Sequence, residues 1–266
     1  MVGSLAYAHY LQFEASLAAA QARAGIIPQE AADVIAAQTI ETIDMEELAE
    51  ETKAIGYPVL PLVKQLARCT RDEGHHRRPA RDLSDKYADT PMTARSNLQQ
   101  AVPMTFGFKM ARLLATFMRH EQRLSQLLSR LLVVEFGGAA GTLATIAEYG
   151  FEVALQVQAG VAEGLGLSRP EIAWHTERDW IAEVGAFFAL LTGTCAKFAL
   201  DVKLLMQTEV GEVYEPYAPH RGSSSTMQKR KPISSVYITA MASTVKQLSA
   251  ALFEALVEDH GRSTGP

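Results

Sequence analysis

The chain has 266 residues, 48% of them hydrophobic, with 18 glycines and 11 prolines; that is enough apolar material for a core and too little glycine and proline for a disordered chain. A formal charge of −5 argues against general nucleic-acid binding, while leaving room for a local cationic pocket that takes a small anion. Cys69 and Cys195 stand in no CxxC or zinc-like spacing, so neither a disulfide framework nor a metal site is expected, and both read as ordinary thiols.

Residues 1–68 read as short Ala-rich helices with a break at Gly25 to Pro28 and a corner at Gly56-Tyr57-Pro58 to Pro61. Glu14 and Arg23 lie within that helical pattern, unlike a signal peptide. No apolar run is expected to approach the roughly 18–20 residues that cross a bilayer. A cytoplasmic protein without a membrane partner is the expectation. The polar stretch Arg68 to Arg81, with His75-His76-Arg77-Arg78-Pro79, reads as a surface linker; its paired histidines and arginines also suit a metal or an anion.

Long helices follow. Met110, Leu113, Leu114, Phe117, Leu124, Leu127, Leu128 and Leu131 make one amphipathic element. Ile181, Val184, Phe188, Leu191, Cys195, Phe198, Val202 and Leu205 recur in steps of three and four as a packed seam. Ile238, Met241, Val245, Leu248, Leu252 and Leu256 repeat nearly the same spacing, and Pro232 stands where a proline can start a helix. Breaks fall at Gly137-Gly138 with Gly141, at Gly164 to Pro170, and at Pro216 to Ser225. Strand-like alternation is nearly absent. The expected fold is all-α, a bundle of long helices, with a shortened helical domain over 1–88 and the long-helix domain over 89–266. Sites in such a bundle belong at its ends, in its breaks or between subunits.

The serine-rich run Arg221-Gly222-Ser223-Ser224-Ser225-Thr226-Met227-Gln228-Lys229-Arg230-Lys231-Pro232 resembles the signature G-S-S-x-M-P-x-K-x-N-P of the fumarase/aspartase/adenylosuccinate lyase superfamily. Further blocks, in family order, place the resemblance in its 3-carboxy-cis,cis-muconate cycloisomerase branch. They include Gly56 to Val63, Asp89-Thr90-Pro91-Met92, Leu98 to Pro103, Glu135 to Thr142, Trp174 to Asp179 and Met206 to Glu212.

The resemblance implies a homotetramer whose active sites draw on three subunits, and elimination, addition or muconate lactonisation beside a carboxylate, without a metal, nucleotide or organic cofactor. Removing a proton α to a carboxylate needs a base, and it needs cations or N–H donors to hold the dianion that forms. Aligned on Ser-Ser-Thr-Met, Ser224 is the candidate base and Lys229 the carboxylate partner; an ungapped alignment from Gly222 selects Ser223. Arg230, Gln99, Gly138, Thr142, His175 and Arg178 are the other candidate substrate contacts. The Gly137 to Thr142 stretch reads equally as a helix break or as an N–H-lined anion pocket. His175 reads as a core or capping histidine or as a substrate contact.

Three family positions are altered. The block expected to read G-R-T-H-L-Q-Q is Ala94-Arg95-Ser96-Asn97-Leu98-Gln99-Gln100, and an amide cannot shuttle a proton as histidine does. Val236 stands where the family carries the glutamate that pairs with that histidine, and Lys231 replaces the signature asparagine. The segment H-x-G-A-T-S-x-D, expected between Leu66 and Asp89, is missing, as is the carboxy-terminal helical domain. Two readings follow: an enzyme acting on a small carboxylate, or an inactive scaffold that assembles with itself or with a full-length relative. An incomplete copy of a longer chain is a third.

Overall fold

The computed structural model describes residues 2–37, 78–216, 229–258 and 260–261. In chain order these form α1 (Val2–Arg23), α2 (Gln29–Ala36), α3 (Arg78–Lys86), β1 (Pro91–Ser96), β2 (Gln99–Thr105) and α4 (Phe106–Leu131). A 3-10 turn (Gly138–Ala140) leads to α5 (Ala144–Ala147), α6 (Phe151–Leu165), α7 (Asp179–Leu205) and α8 (Ile233–Glu254). The three long amphipathic runs in the sequence are α4, α7 and α8, and Pro232 is the N-cap of α8. The chain divides into two interleaved units: 1–72 with 128–178 and 258–266, and 73–127 with 179–257.

In the first unit, α1 lies against α6 across a face of small residues. A Cβ placed on Gly160 would stand 2.7 Å from Ala20 Cβ, and one on Gly164 would stand 2.6 Å from Ser16 Oγ, so glycine sets how closely the two helices approach. Val157 and Val161, both fully buried, centre a cluster with Ala20, Val134 and Ala162, flanked by Phe13, Leu17 and Phe136. Each such valine contributes about 1.5–3 kcal/mol by leaving water. Gly166, at φ 65°, ends α6, and the amide of Leu167 reaches back to the carbonyl of Ala162 at 2.9 Å, so the sequence-level break there is a left-handed C-cap. The break at 137–141 likewise holds two positive-φ glycines, Gly138 and Gly141.

The second unit departs from the sequence reading in four ways. Residues 78–81, assigned to a surface linker, are the start of α3; the rest of that linker, with His75 and His76, lies outside the described residues. β1 and β2 form an antiparallel hairpin with Ser96 opposite Gln99. Its two turn residues, Asn97 (φ 51°) and Leu98 (φ 62°), are both left-handed, the conformation a two-residue hairpin turn requires. Helix α7 is long and apolar enough, by length and composition alone, to cross a membrane, and only 22% of its most apolar window is buried. Glu183, Lys197 and Asp201 interrupt its sequence yet leave an apolar stretch between them.

The fourth departure concerns the seam assigned to α8. Its buried residues are Ser235, Ala242 and Ser249, a small-residue stripe at seven-residue spacing. Across the helix pair, a Cβ on Gly185 of α7 would lie 2.9 Å from Leu252. Met241 and Leu248, expected in the seam, are 67% and 64% exposed. Periodicity located the apolar stripe but not the element that covers it.

Tight packing seats the hairpin at the head of α4. Gly107 donates to the carbonyl of Tyr87 at 2.8 Å, Ser84 Oγ donates to the carbonyl of Gly107 at 3.1 Å, and the Tyr87 and Phe106 rings meet edge to face. A Cβ on Gly107 would lie 2.5 Å from the carbonyl of Ser84.

Candidate functional site

Four residues, Glu212 to Glu215, tie together three parts of the second unit that sequence reasoning had associated with function. Glu212 takes two hydrogen bonds from the Arg95 guanidinium of β1, at 2.6 and 2.8 Å, a bidentate geometry that fixes direction as well as distance. The Glu212 bond raises Arg95 above its ordinary value against the opposing effect of burial, and the same bond holds Glu212 below the usual carboxylate range. Next, the Tyr214 ring lies 5.1 Å beneath the Arg230 guanidinium, within cation–π range. Then Glu215 reaches the start of α8.

The N-cap of α8 is Pro232, which offers no side-chain acceptor. Glu215 supplies one from a distant point in the chain: the amides of Ser234 and Ser235 donate to its two oxygens at 3.0 and 2.9 Å, and Ser235 Oγ donates at 2.7 Å. A carboxylate here satisfies orphan N–H groups and meets the positive end of the helix dipole. Partial burial pushes Glu215 up; the Ser235 and Ser234 hydrogen bonds outweigh it and leave the group below its ordinary value. Sequence reasoning missed Tyr214 and Glu215. A proline cap without a local acceptor was the available signal that an acceptor must come from elsewhere.

The sequence-predicted site residues fall in several places. Ser223 and Ser224 lie outside the described residues. Lys229, Arg230 and Lys231 are exposed ahead of α8, and Val236, in its first turn, is 53% exposed. Asn97 and Gln99 are exposed at the hairpin turn and at the start of β2. In the first unit, Gly138 and Thr142 are exposed on either side of the 3-10 turn. His175 is partly buried there, and its carbonyl accepts from Arg178 Nε at 3.3 Å. Arg178 also pairs with the Glu258 carboxylate, whose side chain is 5% exposed. That pair serves the first unit's own packing.

A histidine the sequence reading passed over is buried in the second unit. His120 of α4 donates or accepts through Nε2 at 2.8 Å from Thr194 Oγ1, and its Nδ1 faces Arg123 Nη1 at 3.4 Å. A guanidinium can only donate, so Nδ1 is the acceptor and Nε2 carries the proton. Thr194 passes its own hydroxyl proton to the carbonyl of Leu190 at 3.2 Å. Burial first, then Arg123 and Arg119, hold His120 below its ordinary value. Among the described residues no group of three or more His, Cys, Asp or Glu side chains is placed to hold a metal ion.

A lyase family model matches residues 74–246, from ahead of α3 into α8. The chain belongs to the fumarase/aspartase superfamily. Within that superfamily it falls in the muconate cycloisomerase branch. It is 46% identical over 97% of its length to trans-aconitate decarboxylase 1 of Mycosarcoma maydis, covering 59% of that protein. It is 42% identical over 96% of its length to 3-carboxy-cis,cis-muconate cycloisomerase of Pseudomonas aeruginosa, covering 63% of it. The crystal structure of 3-carboxy-cis,cis-muconate lactonizing enzyme from Pseudomonas putida superposes with a TM-score of 0.83 at 37% identity, over 96% of this chain and 65% of that one. This superfamily member therefore spans less than two thirds of those relatives' length. The two curated alignments run over 293 and 294 positions, more than the 266 residues of the chain, so the relatives also carry internal residues that it lacks.

Proposed function

We propose that the protein is a lyase or cycloisomerase-type catalyst acting on a small unsaturated polycarboxylate, by elimination, addition or lactonisation, as a cytoplasmic homo-oligomer. One observation carries the reading. The two curated relatives above, at 46% and 42% identity, are named for trans-aconitate and 3-carboxy-cis,cis-muconate, and each compound is an alkene acid with three carboxylates. Such substrates acidify the proton α to a carboxylate only weakly, so a base must be paired with cations that meet the developing dianion. In this reading Ser224, or Ser223 in the ungapped alignment, is the base. Lys229 and Arg230 meet carboxylates from the exposed run ahead of α8, and Gln99 approaches from the hairpin.

The exposed apolar side chains on α8, Tyr237, Met241 and Leu248, support assembly, since water-facing groups of this size at helical spacing mark a surface that another chain covers. A tetramer is the proposed state, and light scattering that returns a stable monomer would count against it. The test of function is a panel of trans-aconitate, carboxymuconate and fumarate-yielding acids, followed by ultraviolet absorbance as the double bond forms or disappears. Turnover of at least one acid is expected; silence from a folded oligomer across the panel would overturn the reading.

A second reading, an inactive scaffold assembling with a full-length relative, is favoured by Asn97 and Val236. An amide at a left-handed turn position and an exposed alkyl group replace the expected proton-relay pair, and neither can carry a proton near neutral pH. Co-expression with a full-length relative, read out as a mixed oligomer with altered turnover, tests it.

A further inference from the structure

Helix α4 is cationic in an acidic protein. Lys109, Arg112, Arg119, Arg123 and Arg130 lie along it against the single carboxylate of Glu121, while the whole chain carries −5. Lys109, Arg112, Thr116 and Arg119 recur at spacings of three and four and so share one helix face. Lys197 and Asp201 of α7 face them, and between the two helices lies a cavity of about 490 Å³. That volume is within the usual range for a small-molecule site.

The charges around the cavity do not balance. Asp201 is its one carboxylate, and it is shared: Lys109 Nζ lies 3.0 Å from Oδ2, and Lys197 pairs with the same oxygen. Burial pushes Asp201 up, but the two lysines outweigh it and hold the group below its ordinary value. Arg119 Nη2 donates to Thr116 Oγ1 at 3.0 Å, and among the described residues neither Arg112 nor Arg119 meets a carboxylate. Two guanidiniums thus line a cavity whose walls also include Met110, Leu113 and Phe198, and among the described residues no carboxylate meets their fork of donors. A guanidinium presents that fork in the geometry that carboxylate and phosphate oxygens accept.

We propose that this groove binds a small polyanion, a polycarboxylate or a phosphate, with Arg112 and Arg119 as its direct partners and Lys109 and Lys197 adding attraction. The inference stands apart from the catalytic reading, because it uses none of the residues assigned there. The experiment is isothermal titration of the full chain with citrate and, separately, inorganic phosphate, at ionic strength matched with sodium chloride. It compares wild type with R112Q/R119Q and with R169Q/K246Q, which removes the same charge from exposed positions outside the groove.

Saturable binding is expected, weakened about tenfold or more in R112Q/R119Q and unchanged in R169Q/K246Q. Tighter citrate binding assigns the site to polycarboxylates, and tighter phosphate binding assigns it to phosphoryl groups. Absence of saturable heat from both ions, or equal weakening in both double variants, would overturn the proposal. A change in oligomeric state in R112Q/R119Q, without anion binding in wild type, would overturn it too, and would assign the arginines to a contact between copies.

Discussion

Replacing Glu215 by glutamine should loosen the start of α8 by a predictable amount, with a pH dependence that identifies the cause. Glu215 accepts from the Ser234 amide at 3.0 Å, the Ser235 amide at 2.9 Å and Ser235 Oγ at 2.7 Å, and no side chain caps the helix locally. Losing a helix cap costs about 0.5–2 kcal/mol, and hydrogen bonds to a charged group are worth roughly 1.5–3 kcal/mol. Glutamine keeps one acceptor oxygen and turns a donor toward the other amide. The site is only partly buried, so water competes and the lower part of the range applies, about 1–2 kcal/mol at neutral pH.

The sign with pH follows from the depressed value of Glu215. Its charged-state contribution is fully present above the unfolded carboxyl value of about 4.3 and is lost as pH falls from there through the lower folded value. Urea unfolding of wild type and Glu215→Gln, from neutral pH down to about 3, should therefore show a stability gap that narrows toward zero on acidification, since a protonated glutamate and a glutamine are near-equivalents. No gap at neutral pH, or a gap of constant size across the range, would refute the capping argument. Repeating the comparison in a Ser235→Ala background should shrink the gap, because the shortest of the three bonds is then already gone.

Two other perturbations have outcomes set by the geometry. Gly160→Ala, which raises helix propensity, should nonetheless cost about 1–3 kcal/mol, because its Cβ would stand 2.7 Å from Ala20 Cβ; Ala20→Gly in the same chain should recover part of the loss in thermal unfolding. Burial, then Arg123 and Arg119, hold His120 below its ordinary value. Stability should accordingly be full above about 6.5 and fall as pH drops toward the lower folded value, and His120→Gln should flatten that stretch of the stability profile.

How much of this was legible in the sequence differs by element. The helices α4, α7 and α8 were, because their apolar residues recur at helical spacing over many turns; Gly166 at the end of α6 and Pro232 at the start of α8 punctuate the chain with known backbone preferences. The hairpin was not: its turn is Asn97-Leu98, where asparagine suits a left-handed backbone but leucine gives no warning of one. The exposure of Met241 and Leu248 was out of reach because periodicity defines a stripe and says nothing of its partner. His120 was within reach, since it continues the run Phe117, Leu124, Leu127 at steps of three and four and so had to be buried and paired. For the candidate site, motif resemblance singled out the serine-rich run, Gln99 and Asn97; Ser223 and Ser224 lie outside the described residues, and Asn97 and Gln99 stand exposed at the hairpin. The organising residues Glu212, Tyr214 and Glu215 act on groups distant in sequence, and the one local signal of them is the Pro232 cap of α8, which has no acceptor of its own.

The central claim is that the serine-rich segment still removes a proton α to a carboxylate. Incubating wild type and Ser224→Ala in deuterium oxide with trans-aconitate, carboxymuconate and their saturated or lactone counterparts, and following exchange at the α-carbon by proton NMR, tests it without assuming a product. The account predicts exchange in at least one acid with wild type and a loss of about a hundredfold or more in Ser224→Ala, with the same oligomeric state and unfolding midpoint. Exchange that survives unchanged in both Ser224→Ala and Ser223→Ala, or none in any acid with wild type, would contradict it.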